Sequence, residues 1–509
     1  MLGVDLVRRG ARLHGPRIAI THERSSLSFA QSDEIASRLA NTLIARGVAP
    51  QDRVGVLLNN GLYSIPFDFA CLKARVTRVP LNARLAAAEQ ARMLQVTDSR
   101  MLVYGPDLAE RAAGLRAALG GDLVMLSLGA AGGGDPDLLA LMRNASARDP
   151  LLPTPLDDIV VAMFTSGTTG TLKAAQHTQA SWSAICTNIL ANVAAPRADD
   201  AMLHAASLIH ASGVFAMPFW VRGARSVVLT GFDPGAYLDQ IVASGATHVN
   251  LVPTMLSMVL ADEKRCAEPR GRLRSVIYGA SPMPRPTIEA GLALWGPIFT
   301  QYYGQTEAPL AIAVLDAERH VGPDAPLGSC GQPAVDVDVR LIDEAGAEVA
   351  PGEVGEVAVR GPIVHSGYRN APELNAQVRL ADGFVRTRDL GRFDERGFLH
   401  LVDRTSDMII TGGYNVYPRE VEDVLLGHPA VAECAVVAAP DAKWVEAVAA
   451  FVVLRAAAHV TDAELQDFVR ARLAAYKVPR RIERCEMLPK SAVGKVLRRA
   501  LRDSLWGRG

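Results

Sequence analysis

Apolar residues along this chain gather into short runs, and most of those runs are followed by a stretch patterned every three or four residues. "RVGVLLNN" (53–60) has the length of a buried strand, while "IASRLANTLIARG" (35–47) keeps its apolar positions on one helical face and stops at a glycine. "DIVVAMFT" (158–165) is another strand. "THVNLVP" (247–253) runs into the helical "TMLSMVLAD", and "SVIYGAS" (275–281) is followed by "RPTIEAGLALW". Such alternation predicts α/β layers built on mostly parallel sheet. Near residue 335 the pattern changes: "VDVDVRLIDEAGAEVAPGEVGEVAVRG" alternates with period two between Gly/Pro turns, which predicts a small antiparallel β region. After "GFLHLVDR" a different unit begins, with helices at "PREVEDVLLGH" and "DAELQDFVRARLA" and strands at "ECAVVAAP" and "AVAAFVVLR". We therefore expect a large N-terminal body, 1–402, and a smaller α+β domain, 403–509.

Composition narrows the class of protein. The chain has 509 residues, too many for one core, is 49% apolar and carries a net charge of −1. That balance gives no general electrostatic reason to bind nucleic acid or an anionic membrane. Six scattered Cys form no C-x-x-C pair and no Cys/His cluster, so neither a disulfide framework nor structural zinc is expected. Arg8 and Arg9 interrupt the N-terminal segment where a signal peptide needs its apolar stretch. Apolar runs such as "AVAAFVVL" fall far short of the roughly 20 residues that span a bilayer. A cytoplasmic protein without integral membrane association is the expectation. Only seven of the 53 basic residues are Lys. Arg is the default cation here, so a Lys marks a place where a compact, flexible ammonium is wanted.

The candidate chemistry starts at "TSGTTGTLKAAQH" (165–177). It follows a strand and is read as preceding an apolar helical segment, where a glycine-rich loop can aim backbone N–H groups at phosphate oxygens. Gly167 and Gly170 permit close approach. Thr165, Ser166, Thr168 and Thr169 add hydroxyls, and Lys173 adds charge. The G-K-[ST] ending of a Walker loop is absent. A plain Ser/Thr/Gly turn is the competing reading.

This stretch resembles the phosphate loop of the adenylate-forming superfamily, which includes acyl- and aryl-CoA synthetases. The resemblance continues in order from about residue 20 to 500: "HASGVF" (210–215), "YGAS" (278–281), "YYGQTE" (302–307), "RTRDLGRFDERGFLHLVDR" (386–404), "DMIITGGYNVYPREVE" (407–422) and "LPKSAVGKVLRR" (488–499). It implies layered α/β subdomains with a small β-barrel-like region, and a mobile C-terminal domain turning about Asp403. ATP, Mg²⁺ and coenzyme A are the implied small molecules. Gly279, Ala280, Ser281 and Tyr303 would meet the adenine. Gly304, Gln305 and Thr306 would lie along the phosphates, Glu307 would hold the Mg²⁺, and Asp389 with Arg404 would hold the ribose. Lys495 would bridge the substrate carboxylate and the α-phosphate. His210 would gate the acid pocket, although a lone His among apolar residues is more often a core residue. Val214, Met217, Trp220, Ala280 and Ala308 could line that pocket. Gly412, Gly413 and Tyr414 would wall the pantetheine tunnel.

The implied reaction is an AMP-forming ligation of a fatty or aromatic carboxylic acid to coenzyme A, with a homodimer left open. Leu172, Arg388 and Val445 depart from the family pattern, the last two standing where Gly is common. A carrier-protein loader, a luciferase-like oxygenase and a catalytically silent nucleotide-binding protein remain as alternatives. So does a malonate-type dicarboxylate ligase, which would need a buried cation; Arg285 is the nearby candidate.

Overall fold

The computed structural model describes the chain except for residues 121–122, 133, 167–171, 210, 405–406, 412–413, 442–443, 492–494 and 508–509. It divides into two compact units. The first comprises Met1–Pro282, Pro286–Val339 and Val359–Val385, and the second Met283–Arg285, Arg340–Ala358 and Arg386–Gly509.

Two sheets organise the first unit. The nine-stranded sheet runs in the order Gln332–Pro333, Ala308–Leu315, Phe299–Gln305, Ser275–Gly279, His248–Leu251, Ala201–His204, Arg225–Val228, Ile18–His22, Ser25–Ser28. Its central strands pair in parallel, as the strand–helix alternation requires. The seven-stranded sheet has the order Gly367–Tyr368, Leu172–Thr178, Ile159–Ser166, Thr77–Pro80, Arg53–Leu57, Met101–Tyr104, Val124–Ser127. Helices cover the apolar faces. The helix Phe29–Ala45 starts in a capping box, where Gln31 N donates to Ser28 Oγ and the Gln31 amide takes the Ser28 N–H in return. The opening residues fold into the helix Gly3–His14, which no strand–helix alternation announced; Trp220 Nε1 donates to its Val7 carbonyl at 2.9 Å.

One of the seven lysines, Lys73, stands where a compact ammonium fits. It is buried, and its ammonium contacts Asp33 at 2.7 Å, Asp149 at 2.9 Å and Ser37 Oγ at 2.8 Å. One compact cation thereby offsets the desolvation of two carboxylates.

The second unit holds most of the four-stranded sheet Asp338–Ile342, Gly355–Arg360, Val385–Phe393, Leu399–Arg404, in the region where period-two alternation predicted strands. Its other sheet runs Tyr414–Val416, Ile409–Thr411, Val445–Leu454, Val431–Asp441, and Arg481–Arg484 pairs with Val445–Leu454 in parallel. The helices Pro418–Leu426 and Asp462–Arg470 lie where their periodicity placed them. All six Cys are free, and no helix among the described residues is long and apolar enough to cross a membrane.

One expectation is corrected. The segment after the Ser/Thr/Gly loop is not helical. Leu172–Thr178 is a strand, antiparallel to Ile159–Ser166, and the helix begins only at Gln179. Ile159–Ser166 and Leu172–Thr178 thus pair as a hairpin, and the helix expected to start straight after the loop, with its dipole, is not there. Seven residues are too short for periodicity to separate helix from strand, and cross-strand pairing decides.

Candidate active site

In the first unit a second hairpin tip carries the carboxylate expected to meet metal. Gln305 pairs with Ala308, so Thr306 and Glu307 form the two-residue turn between Phe299–Gln305 and Ala308–Leu315. Glu307 is buried. The Tyr368 hydroxyl donates to its Oε1 at 2.6 Å, and the His365 N–H donates to its carbonyl at 2.8 Å. Tyr368 is itself clamped, since the Asn375 side chain bonds its backbone N–H at 2.7 Å and its carbonyl at 2.8 Å. Lys173 Nζ sits 5.9 Å from the Tyr368 ring centroid. The phosphate-loop strand therefore lies beside the carboxylate through one shared tyrosine.

His177, at the end of the same strand, donates from Nε2 to the Thr306 carbonyl at 2.8 Å. That bond fixes its tautomer, and burial pushes its pKa down to about 4. His365 is held down to about 3 by burial, then by His177 and Arg379. Both imidazoles are neutral at pH 7. Sequence reading missed Tyr368, His177 and His365, which lie far from Glu307 along the chain and carry no local pattern.

The adenine-side residues are also adjacent. Gly279 pairs with Tyr302, next to Tyr303, and a Cβ on Gly279 would lie 2.4 Å from the Tyr302 carbonyl oxygen, so only glycine fits. Ala280 then turns with φ of 69° towards Ser281. Gly304 meets a similar limit, 2.3 Å from the Leu310 carbonyl oxygen. Thr165 and Ser166 are the last residues of their strand. Gly167, Thr168, Thr169, Gly170 and His210 lie outside the described residues.

In the second unit Asp389 and Arg404 are cross-strand partners, and Leu390 faces Asp403. Asp389 is buried in mid-strand, which removes its reading as a cap. Asp403 accepts the Arg419 N–H at 3.0 Å, and Arg498 Nη1 lies 3.8 Å from its Oδ1. Arg498 also forks onto Glu422, so the segment bearing Lys495 is tied to the strand bearing Asp403. Lys495 is exposed, in a short bridge where Ser491 N donates to its carbonyl at 2.7 Å. Tyr414 stacks on Tyr476 with centroids 4.7 Å apart; Gly412 and Gly413 lie outside the described residues. Arg388 and Val445, the two departures from glycine, both hold left-handed backbone, with φ of 64° and 67°.

Other candidates fall away. Lys477 and Lys490, the two further lysines that could have served the site, pair with Glu420 and Glu433, as surface charges do. Arg285 is exposed, which does not suit the buried cation a dicarboxylate would need. Trp220 is committed to the core against Phe29 and Phe69. Among the described residues no group of three His, Cys, Asp or Glu could hold a resident metal. One buried, oriented carboxylate on a hairpin tip suits Mg²⁺ that arrives with its triphosphate.

The chain is similar to known proteins along nearly its whole length. Residues 7–369 match the AMP-binding enzyme family, and residues 420–495 match the AMP-binding enzyme C-terminal domain. The chain is 37% identical over 507 residues to a feruloyl-CoA synthase from an Amycolatopsis species, covering 98% of each. Among solved structures, o-succinylbenzoate–CoA synthetase from Bacillus subtilis with its acyl-adenylate intermediate superposes with a TM-score of 0.86 at 30% identity, covering 98% of each chain. The amide bond synthetase McbA from Marinactinospora thermotolerans gives 0.89 at 33% identity over 99% of each. The chain belongs to the AMP-binding enzyme family of adenylate-forming ligases, and it is an AMP-forming acid–thiol ligase that uses ATP, Mg²⁺ and coenzyme A.

Proposed function

We propose that the acid is aromatic, and that the residues named above divide the reaction between them. The acid carboxylate attacks the α-phosphorus of ATP, pyrophosphate leaves, and the coenzyme A thiol then attacks the acyl carbon and expels AMP. Thr165 to Gly170 and Lys173 cradle the leaving pyrophosphate. Gly279 to Ser281 and Tyr303 hold the adenine, Gly304 to Thr306 follow the phosphates, and Asp389 with Arg404 holds the ribose. Lys495 places a point cation on the α-phosphate as charge builds there, an effect typically worth several kcal/mol. Glu307 would hold Mg²⁺, which when bound would supply positive charge against the triphosphate. His210 gates the acid, and Gly412, Gly413 and Tyr414 line the thiol's approach.

The adenylate is a mixed anhydride that water would destroy, so one site must change shape between halves. A domain from about residue 403, turning at Asp403, serves that need. The free cysteines favour a reducing, cytoplasmic setting.

The observation that carries the proposal is the buried Glu307 carboxylate fixed by Tyr368 beside the Lys173 strand. Likeness to a feruloyl-CoA synthase over 98% of both chains supports the aromatic acid. Pyrophosphate release is measured with fatty, aromatic and dicarboxylic acids, each with and without coenzyme A. Turnover that needs an aryl acid and coenzyme A together is expected. A preference for alkyl acids overturns the substrate class, and adenylation that proceeds only to an amide or a carrier thioester overturns the acceptor.

A further inference from the structure

Lys495 stands beside the antiparallel bridge between Lys490 and Val496 in the second unit. Ser491 N donates to the Lys495 carbonyl at 2.7 Å, the Lys495 N–H returns to Ser491 Oγ at 3.2 Å, and Leu497 N donates to the Pro489 carbonyl at 2.8 Å. These bonds close the segment 489–497 on itself and do not aim it. Leu488 is buried and Val496 packs on the same apolar cluster as Leu501, which seats both ends without giving them direction. Lys490 pairs with Glu433 at 2.8 Å between partly exposed side chains, and pairs of that kind hold little. Arg498 follows, the first residue of the helix Arg498–Leu505.

Arg498 meets three carboxylates. Its Nε and Nη2 fork onto Glu422 at 3.2 and 2.5 Å, and Nη1 lies 3.5 Å from Asp407 Oδ2 and 3.8 Å from Asp403 Oδ1. Two of the three are themselves held. Glu422 belongs to the helix Pro418–Leu426, whose Val421 and Leu425 are fully buried, and its Oε1 also takes the Val436 N–H at 2.7 Å. Asp403 accepts the Arg419 N–H at the start of that helix, where a carboxylate is favoured, and only 1% of its side chain is accessible. A planar guanidinium with donors on its edges fits such a set in one orientation, whereas an ammonium would tolerate many.

We infer that Arg498 is the positioning residue for Lys495: its fork onto Glu422, beside Asp407 and Asp403, fixes where the Lys495 ammonium stands relative to the proposed hinge. This rests on the proposed role of Lys495 in adenylation and goes beyond it. A cluster of buried charges adds little net stability over apolar groups of the same volume; what this one supplies is direction. Arg498 comes three residues after Lys495, so a shift of its backbone carries straight to the ammonium. A misplacement of about 1 Å can cost about 10²-fold in rate. The helix Pro418–Leu426 keeps its place through its own buried residues, so the loss falls on adenylation and spares the thiol step.

The experiment uses the whole enzyme and compares wild type, Arg498→Met, Lys495→Ala and the double variant. The acid is ferulate, replaced by the best acid of the panel above should ferulate not turn over. Pyrophosphate release is read as kcat and as KM for acid and ATP, and thioester formation is read from supplied acyl adenylate and coenzyme A. Arg498→Met should lower kcat for release by about tenfold or more, while either KM and the thiol step change by less than about threefold. In the Lys495→Ala background the same substitution should change release by less than about twofold, since no ammonium is left to misplace. An equal factor in both backgrounds, or equal loss in both half-reactions, makes Arg498 a structural residue and overturns the inference, leaving the role of Lys495 standing. Undiminished release in Lys495→Ala removes that role and this inference with it. Should Arg498→Met not fold, Glu422→Gln takes its place, because the amide oxygen still accepts the Val436 N–H while the charge that orients the fork is gone. The same pattern is expected, and the same outcomes overturn it.

Discussion

The Tyr368 hydroxyl and the Glu307 carboxylate meet at 2.6 Å, and they come from the edge strand of one sheet and a hairpin tip of another. The bond fixes the carboxylate's direction before any ligand arrives. Tyr368→Phe removes the donor and keeps the ring under Lys173. A hydrogen bond to a charged group is worth about 2 kcal/mol, so a stability loss of that order is expected. The specific outcome is a rise of about tenfold in the Mg²⁺ concentration for half-maximal turnover. A Mg²⁺ titration beside a denaturation curve separates the two.

Lys495 belongs to the first half of the reaction alone under the proposed domain rotation. Lys495→Ala should slow acid-dependent pyrophosphate release by about 10²–10³-fold. Thioester formation from a supplied acyl adenylate and coenzyme A should stay close to the wild-type rate. Equal loss in both assays would place Lys495 outside the adenylation step.

Val445 holds φ of 67° and is 75% exposed, a costly backbone for a β-branched residue with little packing to offset it. Val445→Gly should stabilise the fold by about 1 kcal/mol, against the usual direction for a glycine substitution. Urea unfolding of the two proteins measures it.

His204 is buried between Ser212 Oγ at 3.0 Å and Ser226 Oγ at 3.3 Å, and burial pushes its pKa down to about 4. Between pH 6.5 and 4 the unfolded chain binds a proton there that the folded chain does not. Stability is therefore full above the unfolded pKa and falls as pH drops through that window, by about 1.4 kcal/mol per unit for each such group. His204→Gln should flatten the slope of unfolding free energy between pH 7 and 5, read from denaturation at both values.

Much of this was legible along the chain. Strand–helix alternation, period-two strands near residue 340 and the rare lysines rest on local pattern, and the ordered motifs brought Thr306, Glu307, Asp389 and Lys495 into view. Those signals are local because an apolar face or a glycine-tight turn is decided within a few residues. The chain also marked Arg388 and Val445 as departures from glycine.

Tertiary structure decided the rest. It made Leu172–Thr178 a strand, since pairing with Ile159–Ser166 outweighs the weak preference of seven residues. It brought Tyr368 and His365 to Glu307 and His177 to Thr306, across separations of up to 129 residues, where no sequence period carries information. It set Arg498 among the Asp403, Asp407 and Glu422 carboxylates, a clustering that no local pattern announces. Motifs name the groups proposed to touch substrate because those obey local geometry. The partners that orient and surround them are fixed by packing, which the order of residues specifies only through the folded whole.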